Sequence, residues 1–130
     1  MALLGLLVAL VPARIGAGSG AELRAAARSV AAGLRHARAT AVGQRIEAVF
    51  QIDLDQKKFT VTGDTRVYTL PRDIELKLFT GQQEVLTEKL GGIRFYPDGG
   101  ATGGRVTLLA GERKLEVDVE WMTGRVSIGD

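Results

Sequence analysis

Gly16-x-Gly18-x-x-Ala21 follows an apolar run and opens a helical stretch, which is the order of a dinucleotide-binding fingerprint. The context fails. Pro12-Ala13-Arg14 separates run from glycines, no βα alternation follows, and the acids Asp53 and Asp55 come too late for a ribose contact. Gly99-x-x-x-x-Gly104 has the opening spacing of a phosphate loop. However, Arg105-Val106 stands where Lys-Ser/Thr is required, and a strand-like run follows instead of a helix. His36, the single histidine, sits between Arg35 and Arg38 with no carboxylate nearby in sequence to orient it as a general base. Glu116, Asp118 and Glu120 alternate along one strand face, roughly 7 Å apart. That pattern is a solvated face; a glycosidase pair would need a cleft. With no cysteine and one histidine, disulfides, thiolate sites and a zinc centre are excluded. No catalytic residue, cofactor or metal ligand set is expected.

What remains is charge. Arg24, Arg28, Arg35 and Arg38, continued by Arg45, recur at helical spacing and form a candidate basic contact face. Such a face could meet phosphates, or acidic neighbours on this chain or another subunit. No aromatic residue interleaves with the arginines, so base stacking is not suggested, and a subunit-contact or solvated face is the preferred reading. The net charge, 17 − 15 = +2, is too small to make the whole chain a polyanion binder. It is uneven, with six arginines against Glu22 in residues 1–46, and eleven bases against fourteen acids after that.

The elements that must position these residues follow from composition and period. At 130 residues, 45% apolar and 25% charged, the chain is one globular domain. Only 5% of it is aromatic, so the core must rest mostly on Ala, Val, Leu and Ile. Ala2 to Val11 is uncharged and apolar, about half the ~20 residues of a spanning helix. Pro12 and the glycines at 16, 18 and 20 interrupt it as a flexible joint. Ser19 with Glu22 has capping-box spacing, and residues 21 to about 45 are helical in composition. One stripe, Leu23, Val30, Leu34, Ala37 and Ala41, is apolar.

From Ile46 the period becomes two. Ile46–Leu54, Phe59–Val61, Arg66–Leu70, Ile74–Leu78, Ile93–Phe95, Val106–Leu109, Lys114–Trp121 and Arg125–Ile128 read as strands. Turns are expected at Asp55-Gln56-Lys57, Pro97-Asp98-Gly99, Gly111-Glu112 and Thr123-Gly124. Leu115, Val117, Val119 and Trp121 should share one face. Alternation with short turns predicts antiparallel β-sheet, covered by the long helix, in an α+β arrangement.

These features carry a resemblance. An apolar run broken at Pro12 leads into Ala21-Glu22-Leu23-Arg24-Ala25-Ala26-Ala27-Arg28 and then into antiparallel strands. The chain later carries Phe95-Tyr96-Pro97-Asp98-Gly99-Gly100-Ala101-Thr102-Gly103-Gly104 and closes with Trp121-Met122-Thr123-Gly124-Arg125-Val126. Over essentially its whole length it resembles the H-type minor pseudopilins of bacterial type II secretion, within the type IV pilin-like family.

The resemblance implies a pilin-like fold and three segments: a hydrophobic helix over 1–15, a joint over 16–20, and a periplasmic domain over 21–130. It implies a stem of Leu3, Leu4, Leu6, Leu7, Val8, Leu10 and Val11 in the inner membrane and filament. Such proteins begin with a basic leader and Gly-Phe-Thr-Leu-Ile-Glu, cut and N-methylated by a prepilin peptidase. Neither is present here, which implies about three further helical turns ahead of Pro12 in the family pattern. Implied partners are other minor and major pseudopilins and the inner-membrane assembly platform, with the filament tip moving folded exoproteins outward. Asp98, Gly99, Gly100, Thr102 and Gly103 form a candidate partner-contact loop, since mobile loops on a rigid sheet often carry binding. The chain also resembles DNA-uptake minor pilins of type IV pili. Their C-terminal Gly-Arg-x-Arg is incomplete here, because Gly124-Arg125-Val126 is followed by Ser127.

Overall fold

The computed structural model describes residues 18–80 and 89–130. The predicted stem, Leu3 to Val11, lies outside the described residues. The chain is already helical at Gly18, where a π-helical turn, Gly18–Glu22, runs into helix α1, Leu23–Gln44. Two expectations change here. The described part of the glycine joint is wound, and Ser19 lies inside that turn instead of ahead of a helix start. Glu22, at the N-cap position, has helical dihedral angles and no side-chain cap, because the preceding turn leads directly into the helix. At the other end Arg45 adopts a left-handed conformation (φ 57°), and the Ile46 amide returns to the Ala41 carbonyl at 3.2 Å. This is a Schellman-type stop built without glycine.

Every residue of the predicted apolar stripe is buried, together with Ala26, Ala27 and Ala31. So many alanines let the helix axis approach the sheets closely. Gly33 marks the tightest point, where an added Cβ would stand 2.5 Å from Phe59 Cε1.

Below α1 lie β1 (Ala48–Asp53), β2 (Lys58–Val61), β3 (Tyr68–Thr69), β4 (Glu75–Thr80), β5 (Leu90–Phe95), β6 (Gly104–Ala110), β7 (Arg113–Val119) and β8 (Val126–Gly129). The antiparallel β-structure expected is divided into two four-stranded sheets, in the orders β3-β2-β1-β5 and β4-β6-β7-β8. Alternation announces strands but does not say which ones pair. β4 joins β6, with Leu76 opposite Leu108, and leaves its sequence neighbours to the other sheet. Helix α1 packs on strands of both sheets.

Local chemistry explains the boundaries. Asp53 Oδ1 accepts the amides of Asp55 and Gln56 at 3.0 and 2.8 Å, closing the β1–β2 hairpin. β3 is shorter than the predicted Arg66–Leu70 because Asp64 Oδ1 accepts the Arg66 amide at 2.9 Å, holding residues 64–66 in a turn. Gly111, at φ 63°, opens the two-residue β6–β7 turn. β7 stops at Val119, so Trp121 leaves the face it was expected to share and is 63% exposed. The core contains three of the four phenylalanines, Phe50, Phe59 and Phe95, among aliphatic residues; Phe79 is exposed. Among the described residues no helix is long and apolar enough to cross a membrane.

Candidate interaction site

The two segments that carry the resemblance, Phe95–Gly104 and Trp121–Val126, meet in space, and α1 joins them. Arg38 Nε donates to the Thr123 carbonyl at 3.0 Å, and Arg35 Nη2 donates to the Val126 carbonyl at 3.1 Å. Arg38 lies across two glycines. A Cβ on Gly99 would stand 2.8 Å from its Nη2, and one on Gly124 would stand 2.9 Å from its Nε. Gly99 (φ 97°) and Gly124 (φ 72°) both take backbone conformations that favour glycine. The loops also bind each other directly, through the Ala101 amide to the Trp121 carbonyl at 2.7 Å.

The candidate contact loop is thus fastened to the fold. Asp98 is exposed, and its Oδ1 accepts the Gly100 amide at 2.9 Å. Gly99, Gly100 and Gly103 are buried, and Thr102 is half-buried with its hydroxyl accepting the Arg94 amide at 3.2 Å. What the pinned loops present outward is Trp121 and Met122, each 63% exposed. Between the β7–β8 turn and α1 runs a groove of about 500 Å³ lined by Arg35, Arg38, Glu120, Thr123, Gly124 and Arg125.

The basic face therefore divides. Arg35 and Arg38 belong to this groove. Arg24 belongs to a separate cleft of about 350 Å³ at the start of α1, with Arg113, Lys114 and Asp130. Arg28 is exposed on the helix between them. Arg125 is the member the helical spacing could not supply, since it arrives from 87 residues after Arg38 (125 − 38) through the β7–β8 turn.

His36 is exposed and does have carboxylate company, contributed by the β2–β3 loop. It lines a cleft of about 250 Å³ with Ser29, Asp64, Arg66 and Tyr68. Asp64 is already engaged: Tyr68 Oη donates to its Oδ2 at 2.6 Å, and Arg66 Nε lies 3.3 Å from its Oδ1. These contacts, the tyrosine hydroxyl first, hold the Asp64 carboxyl down at about 2. The same bond pushes the Tyr68 phenol up. Arg66 also lies 5.4 Å over the Tyr68 ring. This is a closed structural cluster, with its carboxylate committed away from the imidazole.

Glu116 and Asp118 are ion-paired on the outer sheet face. Arg105 Nε meets Asp118 Oδ1 at 2.6 Å, Arg105 Nη1 meets Glu116 Oε2 at 3.4 Å, and Lys114 adds a longer contact at 3.7 Å. Asp118 in turn raises the pKa of Arg105. Glu120 lies beyond the strand end and accepts the Thr123 hydroxyl at 2.9 Å. Among the described residues no three acidic or histidine side chains gather as metal ligands would.

Comparison with known proteins identifies the family and the fold. The sequence model of the family described as Type II transport protein GspH matches residues 26–123. The chain is 36% identical over 130 residues to Type II secretion system protein H of Xanthomonas campestris pv. campestris, covering 99% of this chain and 75% of that protein. Its fold is similar to the type IV minor pilin FimU of Pseudomonas aeruginosa (TM-score 0.67, 18% identity, 87% of this chain and 92% of that one). It is also similar to the minor pseudopilin EpsH of Vibrio cholerae (TM-score 0.65, 14% identity, 82% of this chain and 94% of that one). At such identities the structural likenesses speak for the pilin-like fold, whereas the family match and the closely similar relative speak for kinship. The chain belongs to the GspH family of type II transport proteins and is a minor pseudopilin of type II secretion.

Proposed function

We propose that this chain acts as a structural, non-catalytic subunit near the tip of the type II secretion pseudopilus. In this role its head domain stands in the periplasm and its apolar N-terminal run anchors it in the inner membrane. The observation that carries the reading is the continuity of the rod. The chain is helical from Gly18, and α1 is locked to both sheets along its full buried stripe. A head fused rigidly to its helix transmits axial displacement, which a filament that moves cargo requires. Leu3, Leu4, Leu6, Leu7, Val8, Leu10 and Val11 supply the stem that exchanges lipid for neighbouring helices. Its partners are other minor and major pseudopilins, the assembly platform, and the prepilin peptidase acting on a precursor.

The test is co-purification from detergent-solubilised membranes of a cell that expresses this chain, tagged, with the other minor pseudopilins of its source. Recovery of those subunits in stoichiometric amounts is expected. Recovery of the tagged chain alone, under conditions where the other subunits co-purify with one another, would refute the tip role. A DNA-uptake role on a type IV pilus has only the arginines in its favour, and two of those each commit a donor to a backbone carbonyl.

A further inference from the structure

The groove between α1 and the β7–β8 turn differs from the charged surfaces around it. Arg66, Arg94 and Arg105 on the strands and their loops each meet a carboxylate, at 3.3, 3.0 and 2.6 Å. Arg35, Arg38 and Arg125 converge on one groove, and none of the three forms an ion pair among the described residues. Glu120 lines the same groove with its Oε1 turned to the Thr123 hydroxyl. Two of the guanidiniums are held in place by backbone carbonyls, and one of them rests on a floor of glycine. They are oriented before any ligand arrives, which lowers the ordering cost of binding.

We infer that this groove receives a carboxylate-bearing segment of a neighbouring filament subunit, with Arg35, Arg38 and Arg125 as its anchors. Charge complementarity selects this occupant. Three guanidiniums face one carboxylate, and the planar donors of arginine match carboxylate oxygens. Arginine is also a residue type enriched where protein interfaces are buried. A long phosphate backbone would also reach the guanidiniums, but it would run against Glu120 in the groove wall. That the occupant is a subunit rests on the filament reading above; the binding chemistry does not.

Trp121 is the chain's single tryptophan, is exposed, and follows the groove residue Glu120 in sequence, so its emission is followed as one readout. The full chain in non-ionic detergent is titrated with a blocked glutamate-rich peptide carrying a few leucines. Trp121 emission and binding heat are followed together, so that a silent fluorophore is not mistaken for absence of binding. Two variants leave the carbonyl-bound arginines intact. Arg125→Gln should weaken the peptide by about threefold to tenfold. Glu120→Gln removes the competing charge while keeping an acceptor for Thr123, and should tighten it. A lysine-rich peptide should give no saturable signal.

The inference is overturned if the glutamate-rich peptide gives no saturable heat, or if both variants bind it as the parent does. It is equally overturned if a DNA duplex binds more tightly than the peptide at equal salt. Peptide binding without co-purified pseudopilins would sink the filament reading and leave the groove chemistry standing. Co-purification without peptide binding would do the reverse.

Discussion

Arg38 and Gly124, far apart in sequence, are shaped to each other. The guanidinium of Arg38 lies where the side chain of any other residue at 124 would begin, and its Nε reaches the carbonyl of Thr123 just before it. One helix residue thereby fixes the β7–β8 turn, and through Gly99 it also touches the loop that precedes β6.

Gly124→Ala should therefore destabilise the domain by about 2–4 kcal/mol in urea unfolding. The added Cβ meets the Gly99 carbonyl as well as Arg38, on a backbone at φ 72°. Gly111→Ala is the control. Its φ is 63°, but nothing lies within 4 Å of the new methyl, so the loss should stay near about 1 kcal/mol. Equal losses at both positions would show that backbone conformation, and not the contact with Arg38, sets the cost.

Two glycines of α1 should respond with opposite sign. Gly43→Ala adds a methyl in open space on an exposed helix face and should stabilise by about 0.5–1 kcal/mol. Gly33→Ala has the same helix-propensity gain, yet its methyl would press on the Phe59 and Phe50 rings, whose centroids lie 4.8 Å apart in a tilted pair. A net loss of about 1–3 kcal/mol is expected, measured by the same denaturant series.

Asp64 makes an acid-dependent contribution. Its folded pKa, about 2, lies below the ordinary 3.8, so the unfolded chain takes up a proton first. The stability it provides is fully present above the unfolded value and fades as pH falls from there through about 2. Tyr68→Phe removes the leading cause and should bring the Asp64 carboxyl back up toward its ordinary value, read by carboxyl carbon NMR titration. An unchanged midpoint in the variant would assign the depression to Arg66 instead.

Arg35 acts on a sheet edge. β8 pairs with β7 on one side only, and the Val126 carbonyl is taken by Arg35 Nη2 at 3.1 Å. Arg35→Gln should speed amide hydrogen exchange in β8 by about tenfold while β1, β2 and β5 keep their protection. Uniform acceleration across both sheets would mean that the residue supports the whole fold.

What the sequence determined by itself was whatever local periodicity can encode. The 3.6-residue repeat of Leu23, Val30, Leu34, Ala37 and Ala41 defined the buried face of α1, and all five are buried. The alternation Ala48, Phe50, Ile52 and the Gly111-Glu112 turn announced strands and a hairpin that form as expected. Side-chain spacing on a helix or strand is geometry over a few residues, so it survives in a linear reading.

Tertiary structure decided everything that needs two distant segments to meet. Which strand pairs with which depends on the competition of many long-range contacts, and it sorted the eight strands into two sheets. The exposure of Trp121 followed from where β7 stops pairing. The helical arginine stripe was legible as a row, yet its members were sorted by what the sheets brought beside them. Arg24 went to Arg113 and Lys114, and Arg35 and Arg38 went to Arg125 and two glycines. A groove is a relation between surfaces, and no single stretch of the chain contains it.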